Sequence, residues 1–235
     1  MWLSLDRGAR HKLKLSDRHH VAAPSSPETP ELVVRFDSTL IGLVTIATER
    51  VVRLSYTVET SSAHVEPSDG QSLSWLGPSP LPPQTQFEIM LTERGSVLVP
   101  DKGSGVSNPG GWGQAVPDTI RALWPYVPED AAPGTEWSAP PAAAGTGGGS
   151  RAAGPTTTYR VQTLSDAGRL LVSAEQTLTL TGREAVEAQG HSELQIHLQR
   201  DAGLLHADRH TKLWVRPSGT GARVVFGSTQ VERPA

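Results

Sequence analysis

The sequence predicts an all-β fold: a strongly curved antiparallel sheet or half-open β-barrel built of hairpins, with one short central helix. Apolar and polar residues alternate along several runs, as between Glu31 and Asp37. Period-two alternation rich in β-branched residues is typical of strands with one buried face. Such runs fill residues 1–100 and 156–235. We therefore expect one domain of 235 residues, with two β halves joined by a helix-bearing, Gly- and Pro-rich connection over 101–155.

Recurring turns indicate that the strands are joined as hairpins. At four places an acidic residue, a spacer and a glycine stand between two strand-like runs. Glycine accepts the left-handed backbone conformation that such turns need. The sequence therefore predicts antiparallel hairpins at three or more of these places. The four turns are Asp6-Arg7-Gly8, Glu93-Arg94-Gly95, Asp166-Ala167-Gly168 and Asp201-Ala202-Gly203.

The alternating pattern is interrupted in two places. Residues 16–30 contain three prolines and few apolar residues, and residues 61–85 end in a Pro-rich run, so both segments are predicted to be loops. Gly42 lies inside the long apolar run from Thr39 to Ala47. A glycine in a strand predicts a bulge or a sharp bend of the sheet.

The helix signal lies in the centre of the chain. Pro117 and Asp118 suit a helix N-terminus, and Pro125 ends the helix after about two turns. Three apolar residues share one face by their spacing, so the helix is predicted to cap the sheet or to plug a barrel mouth. With two nearby tryptophans they form the predicted site for an apolar ligand; the alternative is that the large rings anchor loops to the domain. The predicted ligand-binding residues are Ile120, Leu123, Trp124, Trp112 and Trp137.

Composition argues against several functions. The net charge of −3 and the pI of about 6.2 do not suit a nucleic-acid partner. There is no cysteine, which excludes disulfides and thiolate chemistry. No apolar run reaches about 18 residues, so no transmembrane segment is predicted. Because no nucleotide-binding or catalytic motif occurs, we expect no enzyme activity and no cofactor.

A second candidate site lies on the predicted hairpin around Asp201. We expect Gln199 to face Leu204 across the turn. In that register His197 lies opposite His206, and imidazoles and carboxylates share one face. Such a face could bind a divalent metal ion or respond to pH. The alternative is an ordinary solvated outer face, because alternation places polar residues there in any case. The candidate metal ligands are Glu193, His197, His206, Asp208 and His210.

The segment from Pro128 to Trp137, PEDAAPGTEW, resembles a mid-chain segment of uncharacterised bacterial secreted proteins and lipoproteins. In both, a Pro-rich run is followed by Gly, two residues and Trp, with one β half before the segment and another after it. The resemblance implies a curved β-sheet like that of lipoprotein carriers and a cell-envelope setting, but no activity. The N-terminus shows no signal peptide and no lipobox cysteine. An envelope or secreted location is therefore expected only with an upstream signal, and a cytoplasmic one otherwise.

These observations favour a non-catalytic β-domain that binds an apolar small molecule or a lipid. The alternative is a structural or protein-interaction module whose sheet is fully packed. A metal-dependent site on the histidine-rich hairpin is a third hypothesis. An apolar interior pocket of about 300 Å³ or more would favour the first hypothesis over the second.

Overall fold

The computed structural model describes residues 3–67, 82–95, 97–98, 116, 119–120, 123–139, 157–181, 187–216 and 221–234. Within these residues the chain forms one sheet of 11 strands. The strands are β1 (Arg10–Ala22), β2 (Pro30–Ala47), β3 (Val51–Pro67), β4 (Gln86–Thr92), β5 (Val97–Leu98), β6 (Glu136–Ala139), β7 (Thr157–Leu164), β8 (Arg169–Thr181), β9 (Glu187–Gln199), β10 (Gly203–Arg216) and β11 (Arg223–Glu232).

All neighbouring strands are antiparallel, which confirms the predicted all-β antiparallel architecture. The strand order is β5-β4-β3-β2-β1-β11-β10-β9-β8-β7-β6. The first strand and the last strand therefore pair in the middle of the sheet, and each half of the chain extends outward from them. In the described part of the chain the sheet is open and not a closed barrel, because β5 and β6 are its two edges.

Three of the four predicted hairpin turns are confirmed. They join β4 to β5, β7 to β8 and β9 to β10. Gly95, Gly168 and Gly203 have φ angles of 86°, 76° and 80°, the left-handed conformation for which glycine is suited. Gly8 also has a positive φ, of 86°. Its turn precedes β1 without a hairpin, because Leu3 to Leu5 is not part of a strand.

Two predicted loops, over 16–30 and 61–85, are wrong in part: residues 23–29 and 82–85 are not in strands, and residues 68–81 lie outside the described residues. Residues 16–22 continue β1, and residues 61–67 continue β3. In both segments every second side chain is polar and faces outward, and some of the inward-facing side chains are polar too. The alternation of apolar and polar residues that marks a strand is therefore missing from the sequence. Ser38 on β2 and Ser61 on β3, for example, both belong to the inner face, and their hydroxyls are hydrogen-bonded at 3.0 Å. The connection between β1 and β2 is only residues 23–29.

The sheet is strongly curved, as backbone hydrogen bonds across it show. Leu3 N donates to Glu93 O at 3.0 Å, and the next residue, Ser4, donates to Arg200 O at 2.7 Å. Glu93 follows β4 and Arg200 precedes β10, and five strand spacings would separate them by about 24 Å in a flat sheet. Consecutive residues are only about 3.8 Å apart, so these two turns lie within about 10 Å of each other. The sheet must curl round to bring them together.

The end of the sheet that carries these turns, here called the turn end, is closed by two segments. One is Leu3 to Leu5. The other is residues 123–135, in which Val127 N donates to Arg94 O and Gly134 N donates to Val161 O. The second segment thereby connects the β4–β5 side of the sheet with β7.

The predicted central helix is not supported. Val116, Thr119 and Ile120 have helical backbone conformation, but residues 117–118 and 121–122 lie outside the described part of the chain. Residues 124–128 have no regular structure. Two prolines leave room for about two turns, which is too short to be stable without tertiary packing. The segment is held instead by its buried apolar side chains.

The concave face of the sheet carries two apolar clusters. The main core lies toward the turn end and joins residues of both halves of the chain with the two closing segments. Leu3, Leu54, Ile120 and Leu170 are among its fully buried members. A smaller group, the second apolar cluster, lies toward the opposite end. It consists of Val21, Leu32, Val34, Val215 and Val225.

Candidate ligand-binding site

A set of polar residues, here called the polar belt, separates the two apolar clusters on the concave face. Its first row crosses three neighbouring strands. Asp17 of β1 pairs with Thr229 of β11, and Thr229 pairs with Arg209 of β10. One step further from the turn end, a second row of polar residues lies on β8, β9, β10 and β1, with Gly227 of β11 between the last two. These positions alternate in phase with buried Leu15 and Val231, so their side chains belong to the inner face. The polar belt consists of Asp17, His19, Gln176, Ser192, Arg209, Thr211 and Thr229.

Asp17 lies at the centre of one half of the polar belt and is only 7% exposed. Its Oδ1 accepts a hydrogen bond of 2.8 Å from Thr229 Oγ1. Its Oδ2 lies 2.9 Å from His19 Nε2. A buried carboxylate needs such partners, because each unmet acceptor would cost about 1–3 kcal/mol or more.

Arg209 anchors the other half. Its Nε donates to Ser192 Oγ at 2.8 Å, and its Nη2 donates to Gln176 Oε1 at 3.2 Å. The Ser192 hydroxyl is also 3.1 Å from Thr211 Oγ1. Burial lowers the pKa of Arg209, and the negative charge of Asp17 and the Tyr159 hydroxyl oppose that shift. The belt therefore holds one cation and one anion in largely desolvated positions.

An aromatic pair borders the polar belt. Trp137 of β6 stacks on Tyr159 of β7, with ring centroids 5.4 Å apart and planes 12° from parallel. Burial raises the pKa of Tyr159, while a hydrogen bond from Thr157 and the charge of Arg209 work in the other direction. In the part of the chain that the structure describes, the buried indole N–H of Trp137 has no acceptor, and neither has that of Trp124.

The predicted ligand-binding residues fall into three groups. Ile120, Leu123 and Trp124 are packed in the main core, with exposed fractions of 0%, 1% and 5%. They fill the turn end and form no open mouth. Trp137 is partly buried against the same core, beside the polar belt. Trp112 lies outside the described residues.

The histidine-rich hairpin has the predicted register near its middle. His197 pairs with His206, and Glu193 pairs with His210. The predicted contact of Gln199 with Leu204 is wrong: a bulge next to the turn makes Gly203 the partner of Gln199.

The polar side chains of that hairpin lie on the convex face, and they make pairwise contacts. His206 Nε2 contacts Asp208 Oδ2, and the rings of His206 and His197 are 5.5 Å apart and nearly perpendicular. Burial and the neighbouring His206 lower the pKa of His197, while Asp208 opposes the shift. Within the described residues, no group of three or more His, Cys, Asp or Glu side chains is arranged to hold a metal ion.

The convex face also carries a depression of about 300 Å³ across β11, β1, β2 and β3. Lys14, Asp37, Thr60 and Glu232 are among its mostly polar lining residues, so it is not the apolar interior pocket that a ligand of the predicted kind would need. Further from the turn end, Trp214 is 50% exposed on this face.

The polar belt is the feature that sequence reasoning missed. The signal was present, since Asp17 alternates in phase with Leu13 and Leu15, and Ser192 in phase with Leu194 and Ile196. A polar residue at an apolar position of a strand marks a buried polar group. In β1 this signal was hidden, because the polar run was interpreted as a loop.

Comparison with known proteins shows a shared fold. No family model and no curated protein matches the chain. Lipovitellin, in a structure that describes its lipid–protein interactions, superposes with a TM-score of 0.56 over 98% of this chain at 10% identity. The chain spans only 25% of the length of lipovitellin. The alignment with a putative AttH from Nitrosomonas europaea covers 93% of this chain and 92% of that protein at 8% identity. Its TM-score of 0.14 is too low to indicate a shared fold.

No helix in the described part of the chain has both the length and the apolar character needed to cross a membrane.

Proposed function

We propose that the concave face of the sheet binds an apolar ligand or a lipid. The observation that carries the proposal is the order of side chains along this face. From the turn end to the opposite end, the main core is followed by the polar belt and then by the second apolar cluster. A ligand with a hydrocarbon part and a polar group matches that order. Its hydrocarbon part lies against the second apolar cluster, and its polar group lies at the polar belt.

Physical chemistry supports this arrangement. Each methylene group removed from water contributes about 0.8 kcal/mol, so a chain of several carbons gives useful affinity without specific contacts. Polar groups on an otherwise apolar surface fix the orientation of a ligand. The belt offers hydroxyl groups, and the Trp137 indole N–H beside it is a further donor without an acceptor among the described residues.

The fold supports the proposal in a general way. A structure of lipovitellin that concerns lipid–protein interactions superposes on 98% of this chain. The concave face carries the apolar side chains of the sheet, and those of the second apolar cluster are only 0–5% exposed, so a ligand that reaches them must open this end of the sheet. In this chain the turn end of that face is filled by Ile120, Leu123 and Trp124, which form the floor of the proposed site.

The proposal treats the chain as a carrier or sensor of its ligand and not as a catalyst. The resemblance of residues 128–137 to secreted proteins and lipoproteins suits a cell-envelope or secreted carrier whose precursor has an upstream signal.

A titration with decanol tests the proposed function. Decanol is uncharged and apolar, and it stays monomeric at the concentrations needed. Methyl NMR shifts of the full chain are expected to change saturably at Val21, Val34 and Val225. The absence of saturable binding, or changes confined to the convex face, would overturn the proposal.

Protein interaction through the convex face is a second candidate function. Lys212 Nζ lies 5.5 Å from the ring centres of both Trp214 and Phe226, which forms an exposed aromatic and cationic group. Exposed tryptophan is enriched at protein interfaces. If decanol shifts only resonances of Trp214 and Phe226, this second function is favoured.

A further inference from the structure

We propose that the ligand carries an ionised carboxylate and that Arg209 binds it. This inference rests on the proposed function, because it names the polar group of the amphipathic ligand. The ligand class is a fatty acid, held with its head group at the polar belt and its hydrocarbon chain against the second apolar cluster.

The first argument is the state of the guanidinium. Arg209 donates to Ser192 and Gln176, both of which are uncharged. Among the described residues, no carboxylate oxygen lies within 4.0 Å of its nitrogen atoms. Buried cations are normally paired directly with an anion, because an unpaired charge in a desolvated position is costly. Arg209 is thus a cation that is positioned by neutral groups and has no direct counterion among the residues that the structure describes.

The second argument is that the nearest anion is already engaged. Asp17 accepts a hydrogen bond from Thr229 and pairs with His19, at 2.8 Å and 2.9 Å. The negative charge of Asp17 attracts the Arg209 guanidinium from a distance, without a direct contact between the two groups. An incoming carboxylate therefore does not have to displace Asp17 to reach the guanidinium. Arginine suits this role, because its planar group matches a carboxylate in geometry.

The third argument is the order of side chains between Arg209 and the second apolar cluster. In the next row, Thr211 and Gly227 face each other on β10 and β11. Beyond them Leu213 pairs with Val225. Along these strands polar groups thus give way to valine and leucine side chains, which is the order of chemical groups in a fatty acid, and the His19 ring packs over Gly227 between them.

The test compares decanoate with decanol, which have the same chain length and differ in the charged group. Wild-type protein is expected to bind decanoate roughly tenfold or more tightly than decanol at neutral pH, as a charge-assisted hydrogen bond would give. Arg209→Met is expected to remove this preference, because it weakens decanoate binding far more than decanol binding. Arg18→Met is the matched control, since Arg18 is an exposed arginine on the convex face of β1. It is expected to keep the wild-type preference.

The outcomes separate this inference from the proposed function. Equal affinity of the wild type for decanoate and decanol, or a preference that survives in Arg209→Met, would overturn the role of Arg209 while leaving lipid binding intact. Binding of neither compound would overturn the proposed function itself. Thermal melting shows whether Arg209→Met folds. If it does not, Arg209→Lys replaces it: the charge stays but the planar guanidinium is lost, and the decanoate preference is expected to fall.

Discussion

His11 illustrates how a single half-buried side chain links packing to pH. Its Nε2 lies 3.2 Å from the Tyr56 hydroxyl, and the two rings meet edge to face with centroids 5.4 Å apart. Tyr56 stacks in turn on Phe87. Burial is the main reason that the pKa of His11 falls from 6.5 to about 4, and the positive charge of Arg233 adds to the shift. Burial likewise raises the pKa of Tyr56.

We expect His11 to make the protein less stable in acid. The unfolded chain binds a proton near pH 6.5 whereas the folded chain holds His11 neutral down to about pH 4. Stability is therefore complete above pH 6.5 and is lost as the pH falls toward 4, by roughly 2–3 kcal/mol. Urea unfolding of His11→Gln between pH 4 and 7 should show a shallower dependence on pH.

Tyr56→Phe is the control for that experiment. It removes the hydroxyl but leaves His11 buried, so the dependence on pH should persist with a uniform loss of about 1 kcal/mol. An unchanged slope in His11→Gln would show that other groups cause the acid sensitivity.

At the scale of elements, the long strands are shaped by small local departures from regular pairing. The register between β2 and β3 shifts twice, after Thr39 and after Val44. Gly42 lies between these shifts, opposite His11 on one side and Tyr56 on the other. Gly42 itself keeps regular pairing with both strands, so the predicted bulge is not at Gly42, and the two irregularities lie on either side of it. Bulges increase local twist and curvature of a sheet.

Gly42→Ala is expected to destabilise the protein by about 1–3 kcal/mol, because the new methyl group overpacks the core. Its Cβ would overlap the His11 imidazole and would lie 2.9 Å from Tyr56 Cε1. Both rings are held in place, so neither can yield easily. Chemical denaturation measures the loss.

The double variant His11→Ala with Gly42→Ala should recover part of that loss, since the obstructing ring is gone. Gly221→Ala is the matched control: its Cβ would meet only the flexible end of Arg223, at 3.2 Å. Additive effects of His11→Ala and Gly42→Ala would contradict the proposed overlap.

At the scale of the whole molecule, one short segment keeps the sheet curled. Leu3 is fully buried in the main core, and its backbone and that of Ser4 connect turns from the two halves of the chain. The first and last strands also pair with each other. Both features tie the N-terminal and C-terminal halves into a single sheet, so we expect the halves to unfold together.

Leu3→Ala is expected to cost about 2–5 kcal/mol, because a large buried side chain leaves a cavity at the point where the halves meet. Ser4→Ala should cost less than about 0.5 kcal/mol, since its side chain is exposed and its backbone bond remains. Thermal unfolding followed at Trp and by far-UV circular dichroism should give one shared transition in both variants. Separate transitions would contradict the coupling of the two halves.

The sequence by itself determined the all-β class, the alternation of most strands and the glycine turns after Glu93, Asp166 and Asp201. These are local properties: side-chain alternation has a period of two residues, and a left-handed turn selects glycine wherever it occurs. The middle register of the β9–β10 hairpin was also predictable, because a short turn fixes which residues face each other.

Only the tertiary structure decided the rest. Pairing of β1 with β11 joins residues some two hundred positions apart, as Asp17 and Thr229 show, and no local pattern records such a partner. For the same reason the polar belt is visible only after pairing, since Asp17 and Arg209 become neighbours through β11. A polar residue in β1 looks like a loop residue until its strand has partners, because it is those partners that satisfy its charge.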